Sequence, residues 1–383
     1  MNYYLIAGEA SGDLHASNLM KELKKQDQDA QFRFWGGDLM QAVGGENVSH
    51  YKDRSFMGFV EVLVNLKTVL GHIKHCKVDL AAHIPDALIL VDYPGFNMRI
   101  AEYAKSLNIP VFYYISPQIW AWKEGRIKGI KAFVDHMFVI LPFEKPFYAK
   151  HDYEVDYVGH PLLDAVKDSV PDENFRSTWN LDKSPVLALL PGSRKQEIRK
   201  KLPLMLSVMD DFPDYQFVLA AAPGIDPEYY LSFTRSSRVK VVQNNTYQLL
   251  MHAEAALVTS GTATLETALF GVPQVVCYKT SAITYAIAKR LVKIKYISLV
   301  NLIMDQEVVK ELIQGELNTS NLRKELKAIV AGGLKRRKMV DAYAELKSKL
   351  GNHGASEKTA RLILGYLERR SGGTFHAALY RPA

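Results

Sequence analysis

The fold is decided by residues 253–276, which read AEAALVTSGTATLETALFGVPQVV. The apolar run 255–258 has the length of a short buried strand. A turn of small residues follows, and residues 263–270 then carry apolar side chains at helical spacing. Gly271 ends this predicted helix, and residues 274–278 form the next apolar run. The stretch predicts strand, tight polar turn, helix and strand, which is the repeating unit of a parallel α/β sheet.

The turn Ser260-Gly261-Thr262 within this stretch allows two interpretations. Unsatisfied backbone N–H groups at a helix N-terminus attract an anion, because the helix dipole is positive there. Glu266 lies one helical turn further and could accept hydrogen bonds from a ribose beside a bound phosphate. In the alternative interpretation Ser260 and Thr262 only cap the helix, which is the usual role of these residue types.

Composition narrows the class of protein. The chain has 383 residues, 48% of them hydrophobic, which is enough for two domains of ordinary size. Its net charge of +7 suits an anionic ligand or an anionic membrane surface and identifies neither. The two cysteines, Cys76 and Cys277, are far apart, so neither a disulfide framework nor a thiolate metal site is expected. We predict no signal peptide, and no stretch reaches the roughly 20 apolar residues of a membrane-spanning helix.

Strand and helix patterns alternate along both halves of the chain. We predict strands at residues 3–7, 32–35, 87–91, 111–115, 137–141, 155–158, 186–190, 216–220, 239–243, 255–258 and 274–278. Residues 167–184 are polar and are expected to form a linker, and residues 297–302 are interpreted as an irregular apolar segment. This pattern predicts two Rossmann-like, doubly wound α/β domains that face a cleft. The expected parts are a first domain at 1–165 completed by a helix at 355–370, a second domain at 170–354, and a tail at 371–383.

Candidate functional residues follow the predicted strands, where open α/β sheets bind ligands. Residues 8–13, GEASGD, form a glycine-bearing turn that is not the GxGxxG of a dinucleotide site. Asp92 follows strand 87–91 and is a candidate general base, whereas its alternative role is to cap the next helix, which Asn97 could do instead. Arg194 follows strand 186–190, and its guanidinium could bind a phosphate through two N–H groups.

Two aromatic or apolar segments have no assigned partner. In residues 56–75 nearly every position from 57 to 66 is apolar, and lysines follow, so core packing and a lipid-facing role are equally good interpretations. His72 and His75 in this segment lack an evident third ligand and are not expected to bind a metal. Residues 116–126 contain two tryptophans beside Lys123 and Arg126, which suits either an aromatic lid or packing under a loop.

A series of short strings carries a family resemblance. The strings are GEASGD at 8–13, DYPGFN at 92–97, SPQIWAW at 116–122, LPFE at 141–144, VGHP at 158–161, LPGSR at 190–194, SGTATLE at 260–266 and SLVNL at 298–302. Taken in this order they resemble the lipid-A-disaccharide synthases, which are glycosyltransferases of the GT-B type, from about residue 3 to about 365. Small departures are Gln118, where a serine is common, and Gly95, where an aspartate occurs.

The resemblance implies an inverting hexosyltransferase of lipid A biosynthesis. It would join UDP-2,3-diacylglucosamine to 2,3-diacylglucosamine 1-phosphate (lipid X) and release UDP, with no metal and no cofactor. It also implies a homodimer that exchanges C-terminal segments, peripheral association with the cytoplasmic face of a Gram-negative inner membrane, and no nucleic-acid partner. The implied catalytic residues are Asp92 and Arg194. The implied nucleotide-sugar contacts are Gly192, Ser193, Arg194, Ser260, Gly261, Thr262, Glu266 and Asn301, and the implied acceptor contacts are Glu9, Ser11, Gly12 and Asp13.

Two rival functions use the same architecture. A UDP-N-acetylglucosamine 2-epimerase is an isomerase without an acceptor, and a sugar-only substrate would give the apolar segment 56–75 no role. A non-catalytic lipid- or nucleotide-binding module would leave Asp92 without one. UDP release that depends on an acceptor separates the transferase from both.

Overall fold

The computed structural model describes residues 1–54, 66–167, 169–234, 236–292 and 294–372. The chain divides into two compact units. The first is Met1–Asp164 together with the segment that begins at Asn352, and the second is Ala165–Gly351. Each unit is built on a parallel β-sheet with helices in its connections.

The first sheet is fully parallel among its described strands. Its strands are β1 Asn2–Ala7, β2 Gln31–Gly36, β3 Glu46–His50, β4 Ala87–Val91, β5 Val111–Tyr114, β6 His136–Val139 and β7 Asp156–Tyr157. Their order across the sheet is β3-β2-β1-β4-β5-β6-β7. The helices of the chain as far as residue 167 are Ala10–Gln26, Asp38–Val43, Leu66–Ala82, Pro94–Ser106, Ile119–Trp122, Ile127–Phe133, Glu144–Ala149 and Pro161–Lys167.

Both faces of the first sheet are covered, which is why β4 is buried at every residue. Alternate residues of a strand point to opposite faces, so Tyr4 and Ile6 belong to one core while Leu5 belongs to the other. The second of these cores includes residues of the last helix, Ala355–Ser371, which packs on the helix Ala10–Gln26. The C-terminal helix is therefore part of the first unit.

The second sheet repeats this plan. Its strands are β8 Val186–Leu190, β9 Gln216–Ala221, β10 Val239–Gln243, β11 Ala253–Thr259, β12 Gln274–Tyr278 and β13 Lys310–Ile313, in the order β10-β9-β8-β11-β12-β13. The helices after residue 168 and before the last helix are Phe175–Thr178, Lys195–Leu206, Pro227–Leu231, Thr246–Met251, Thr262–Leu269, Ala282–Leu291, Leu299–Met304, Thr319–Ile329 and Arg336–Leu350. None of the helices within the described ranges has the length and hydropathy to cross a bilayer.

The predicted strands are confirmed, and β4, β8, β10 and β12 have the predicted bounds. The sequence missed two strands at sheet edges, β3 and β13, because neither is an uninterrupted apolar run. The interpretation of residues 297–302 as irregular is wrong. A helix begins after Ser298, whose hydroxyl accepts a hydrogen bond from the backbone N–H of Asn301 and so caps it.

Each sheet contains one topological switch point. In the first sheet the order runs outward from β1 to β3 on one side and from β4 to β7 on the other. In the second sheet the corresponding neighbours are β8 and β11. Connections leave such a pair of strands in opposite directions, and the crevice that opens at their carboxyl ends is where open α/β sheets bind ligands. The turns after β1, β4, β8 and β11 carry most of the predicted site residues.

Candidate active site

At the first switch point the turn after β1 touches the turn after β4. A Cβ atom placed on Gly8 would lie 2.2 Å from the ring of Tyr93, so the close approach of the ring requires glycine. Asp92 and Tyr93 have φ angles of 47° and 49°, in the left-handed region that bulky residues rarely occupy. Backbone strain of this kind is found preferentially at ligand and catalytic sites.

The backbone carbonyl of Asp92 is held by two side chains. The Asn97 amide donates to it at 2.7 Å, and the Tyr113 hydroxyl donates to it at 2.5 Å. The N-cap residue of the helix Pro94–Ser106 is Tyr93, and no side chain caps this end. Asp92 therefore does not cap the next helix, and that alternative is wrong. Asn97 does not cap it either, because its amide donates to the Asp92 carbonyl at the end of β4.

The pKa of Asp92 is raised to about 7. Burial is the main cause, and the negative charges of Glu9 and Glu144 add to it. A carboxyl group with a pKa near neutrality is matched to proton transfer, because it can accept a proton and release it again near pH 7. The geometry thus brings Glu9 and Asp92, predicted from separate motifs, into one electrostatic site.

Glu144 was not among the predicted site residues. Its carboxylate is buried and accepts hydrogen bonds from the Ser116 hydroxyl and from the Trp120 indole, the latter at 3.3 Å. It also accepts from the backbone N–H groups of Ile140 and Leu141 at 3.1 and 2.8 Å. This network ties the loop after β5 to the loop after β6. The strings SPQIWAW and LPFE contain these residues, but neither string shows that the two segments are in contact.

The remaining predicted acceptor contacts lie on the first turns of the helix that follows β1. Ser11 is exposed, whereas Gly12 is buried and its missing Cβ would lie 3.3 Å from that of Ala7. The Asp13 carboxylate accepts from three backbone N–H groups, at 2.7 to 3.2 Å, at the start of the helix Asp38–Val43. Asp13 thus holds the start of a second helix, and its contact with an acceptor stays a prediction.

At the second switch point the loop after β8 lies against a small ionic cluster. Gly192 has a φ of 118°, and a Cβ there would lie 2.3 Å from the Glu197 carboxylate and 3.4 Å from Lys201 Nζ. Ser193 and Arg194 are exposed. Arg194 Nη1 lies 3.7 Å from Glu197 Oε1, so the guanidinium is already paired on one side.

Lys201 was missed by the sequence analysis. Only 3% of its side chain is exposed, yet its ammonium donates to the Thr259 hydroxyl at the end of β11 and lies 3.6 Å from Glu197 Oε2. Burial lowers the pKa of Lys201. Its position in the sequence indicates this burial, because residue 201 lies on the same helix face as the apolar Ile198 and Met205.

The turn after β11 does not use its hydroxyl side chains as helix caps. The N-cap residue of the helix Thr262–Leu269 is Gly261, with a φ of 136°, and no side chain caps this end. Ser260 donates instead to the carbonyl of Ile297 at 2.8 Å. The interpretation that Ser260 and Thr262 only cap the helix is therefore wrong. The Thr264 N–H donates to the Gly261 carbonyl at 3.1 Å, so the start of this helix is closed by its own backbone and not by a capping side chain.

Two further predicted nucleotide contacts are buried to different degrees. Glu266 is half-buried and accepts from the Tyr247 hydroxyl at 3.1 Å, and burial raises the pKa of its carboxyl. Asn301 is fully buried, and its amide bonds the backbone of Val309 and the carboxylate of Glu311. Its contact with a nucleotide sugar stays a prediction.

Three carboxylates interact at the first switch point, whereas the second has two cations, Arg194 and Lys201, on either side of Glu197. In the part of the chain that the structure describes, no three His, Cys, Asp or Glu side chains are arranged to hold a metal ion. Chemically, the first site can accept a proton through Asp92, and the second can stabilise an anion through Arg194, Lys201 and the uncapped helix.

Comparison with known proteins identifies the family. The family model described as lipid-A-disaccharide synthetase matches residues 3–364. The lipid-A-disaccharide synthase of Syntrophus aciditrophicus is 38% identical over 373 residues, which is 95% of this chain and 97% of that protein. The one from Myxococcus xanthus is 39% identical over 370 residues, again 95% of this chain and 97% of that protein.

Solved structures show the same fold at low sequence identity. UDP-GlcNAc 2-epimerase from Neisseria meningitidis, bound to UDP-GlcNAc, is 14% identical with a TM-score of 0.67, and covers 95% of this chain and 100% of its own. The calicheamicin glycosyltransferase CalG4 is 15% identical with a TM-score of 0.60, over 96% and 99%. These neighbours confirm the predicted class of two Rossmann-like domains of the GT-B type. Because the family model covers nearly the whole chain and these relatives match over 97% of their own length, the chain belongs to the lipid-A-disaccharide synthase family.

Proposed function

We propose that the chain condenses UDP-2,3-diacylglucosamine with 2,3-diacylglucosamine 1-phosphate to give a β-1,6-linked disaccharide 1-phosphate and UDP. Membership of the family over residues 3–364 is the observation that carries this conclusion. The two switch points supply the two kinds of group that such a reaction needs, a base for the acceptor and positive charge for the leaving group.

The acceptor step belongs to the first unit in this proposal. The 6-hydroxyl oxygen of the acceptor attacks C1 of the donor sugar, and Asp92 takes the hydroxyl proton. The new bond joins O6 to C1 while the bond from C1 to the phosphate oxygen breaks. A single displacement turns the α-linked phosphate into a β-glycoside, so no carboxylate nucleophile is required. The raised pKa of Asp92 supports its role as base, because a stronger base accepts the proton more readily.

The leaving-group step belongs to the second unit. Negative charge develops on the diphosphate as the C1–O bond breaks, and fixed donors aimed at that charge lower the barrier. We assign this role to Arg194, to the loop at Gly192 and Ser193, and to the N–H groups at Gly261 and Thr262. Glu266 is assigned to the ribose diol, with Tyr247 orienting its carboxylate. Protein cations and amides then replace a metal ion, and no cofactor takes part.

Membrane association and dimerisation are also proposed. The net charge of +7 favours an anionic surface. The predicted lipid-facing side chains, among them Phe59, Val62 and Leu63, lie outside the described residues, as does the side chain of Leu66. Co-sedimentation with anionic vesicles tests the first proposal, and light scattering during size-exclusion chromatography tests the homodimer with exchanged C-terminal segments.

The epimerase alternative is not favoured. The epimerases share the fold of this chain at 12 to 16% sequence identity, whereas the synthase relatives are 36 to 39% identical to it. A non-catalytic binding module would leave Asp92, a buried carboxyl group with a pKa of about 7, without a role.

The deciding experiment measures UDP release from UDP-2,3-diacylglucosamine with and without the acceptor. We expect release only when the acceptor is present, together with formation of the disaccharide. Conversion of the donor sugar without an acceptor would assign the chain to the isomerases. Binding of UDP without any turnover in the presence of both substrates would leave a binding module.

A further inference from the structure

An exposed tryptophan in the first unit carries two cations on its ring. Trp122 ends the short helix Ile119–Trp122 and is 47% exposed. Lys123 Nζ lies 4.1 Å from the centre of the indole, and the guanidinium carbon of Arg126 lies 5.8 Å from it. Both distances are within the range of a cation–π contact. The ring thus holds two like charges close together.

Among the described residues, neither of these two cations has a carboxylate within ion-pair distance. The ion pairs of the described residues include neither Lys123 nor Arg126, while the intervening Glu124 pairs with His151 at 3.0 Å. Partial burial and the nearby Arg126 charge both lower the pKa of Lys123. Like charges held together without a counter-ion favour binding of an anion, because the anion relieves their repulsion.

The cluster follows β5, the strand next to β4, so it lies in the loop at the sheet edge that carries Asp92. Trp120 in the same helix donates to Glu144, whose charge acts on Asp92. Burial raises the pKa of Tyr113, and the positive charge of Arg126 offsets part of this rise. The Tyr113 hydroxyl in turn donates a hydrogen bond to the Asp92 carbonyl. Arg126 therefore acts on a side chain that holds the backbone of Asp92, and Lys123 lies beside Arg126 on the same indole ring.

We propose that Lys123 and Arg126, fixed over the Trp122 ring, bind the 1-phosphate of the acceptor sugar. This inference rests on the proposed function. The acceptor carries its phosphate on C1 and its reacting 6-hydroxyl on the carbon attached to C5, and C1 and C5 are the two carbons that flank the ring oxygen. It therefore needs a base and an anion site close together, as on the loops that follow two neighbouring strands. The donor diphosphate has cations of its own at Arg194 and Lys201 in the second unit.

The experiment removes the two positive charges from the protein and, separately, the phosphate from the acceptor. Lys123→Met with Arg126→Met removes both charges and keeps a long, unbranched side chain at each position. Steady-state kinetics would use the acceptor and the same acceptor without its 1-phosphate. Lys128→Met is the matched control, since Lys128 is an exposed cation on the next helix, Ile127–Phe133. Thermal melting of each variant checks that it is folded.

We expect the double variant to raise the KM for the phosphorylated acceptor by roughly 10- to 100-fold, the range for losing hydrogen bonds to a charged group. The KM for the donor should not change. With the dephosphorylated acceptor the parent and the double variant should become alike, and the control should behave as the parent throughout. Such a pattern identifies the phosphate as the partner of the two cations.

Two outcomes would overturn the inference. An equal loss with both acceptors would make the cluster a structural element. An unchanged KM for the acceptor, with weaker binding to vesicles of phosphatidylglycerol and phosphatidylcholine, would assign the cations to a phospholipid headgroup, which offers the same phosphate chemistry. Failure of the proposed function is distinct from both, because the parent itself would then release no UDP in the presence of acceptor.

Discussion

The two sheets share one topology and differ in the chemistry at their carboxyl ends. Both switch points lie between the first strand and the fourth strand of their sheet. The first brings together the carboxylates of Glu9, Asp92 and Glu144, whereas the second holds the cations Arg194 and Lys201 on either side of Glu197. The difference teaches that strand order creates the crevice, and that a few loop residues decide what the crevice binds.

Burial shifts the pKa of one ionisable group at each sheet edge, in opposite directions. It raises the pKa of Asp92 to about 7 and lowers that of Lys201, because a low-dielectric environment disfavours the charged form of either group. At the first edge the result is a carboxyl group suited to accept a proton. At the second edge a buried cation supports the loop that holds Arg194. Removing these charges one at a time tests whether the two edges have these different roles.

The largest effect is expected from Asp92→Asn. Loss of the base should lower turnover by about 10²–10⁴-fold, measured as acceptor-dependent UDP release. The fold should survive. The pKa of about 7 is above the ~3.9 of an unfolded aspartate, so stability from this group is complete below ~3.9 and is lost as pH rises through 7.

An uncharged asparagine avoids that loss, so the melting temperature of the variant at pH 8 should equal or exceed that of the parent. Near-normal turnover by folded Asp92→Asn would remove Asp92 from the role of base.

Arg194→Ala comes next and tests the second edge. A hydrogen bond to a charged group contributes about 1.5–3 kcal/mol, so the Kd for UDP should rise roughly 10- to 100-fold. Arg194→Lys should bind UDP better than the alanine variant and worse than the parent, because lysine offers a point charge instead of a planar fork. Isothermal titration calorimetry measures both.

Arg199→Ala, an exposed arginine on the same helix, is the control. If Arg194→Ala binds UDP as tightly as the parent does, Arg194 has a structural role.

Glu9→Gln should produce a smaller effect, a shift in pH dependence. In the parent, kcat/KM should fall below about pH 7 as Asp92 becomes protonated. Removal of the Glu9 charge lowers the pKa of Asp92, so this acidic limb should move to lower pH by up to about one unit. Glu22→Gln, far along the same helix, is the control. An unchanged limb, or one moved to higher pH, would separate Glu9 from the base.

Removal of divalent metal is expected to have no effect. Arg194, Lys201 and the backbone N–H groups after β11 supply the positive charge that a metal ion would otherwise bring to the diphosphate. Acceptor-dependent UDP release should therefore persist after exhaustive treatment with EDTA. Activity that disappears and returns with Mg²⁺ would show that these groups are insufficient.

Local pattern alone determined the architecture of this protein. Apolar runs fix where buried strands lie, because a strand covered on both faces has to be apolar along its whole length. Hence the fully buried strands β4 and β8 were predicted to the residue, while the edge strands β3 and β13 were missed. The positions after strand ends also located Asp92 and Arg194, since parallel strands bring their carboxyl ends to one edge.

Only the tertiary structure decided what those positions do. The Asp13 carboxylate meets the start of a helix that begins 25 residues later, and Glu144 meets Ser116 and Trp120, pairings that depend on how distant segments pack. The left-handed turn at Asp92 exists because Gly8 admits the Tyr93 ring. A residue's pKa and partners arise from neighbours in space, whereas a sequence specifies directly only the neighbours along the chain.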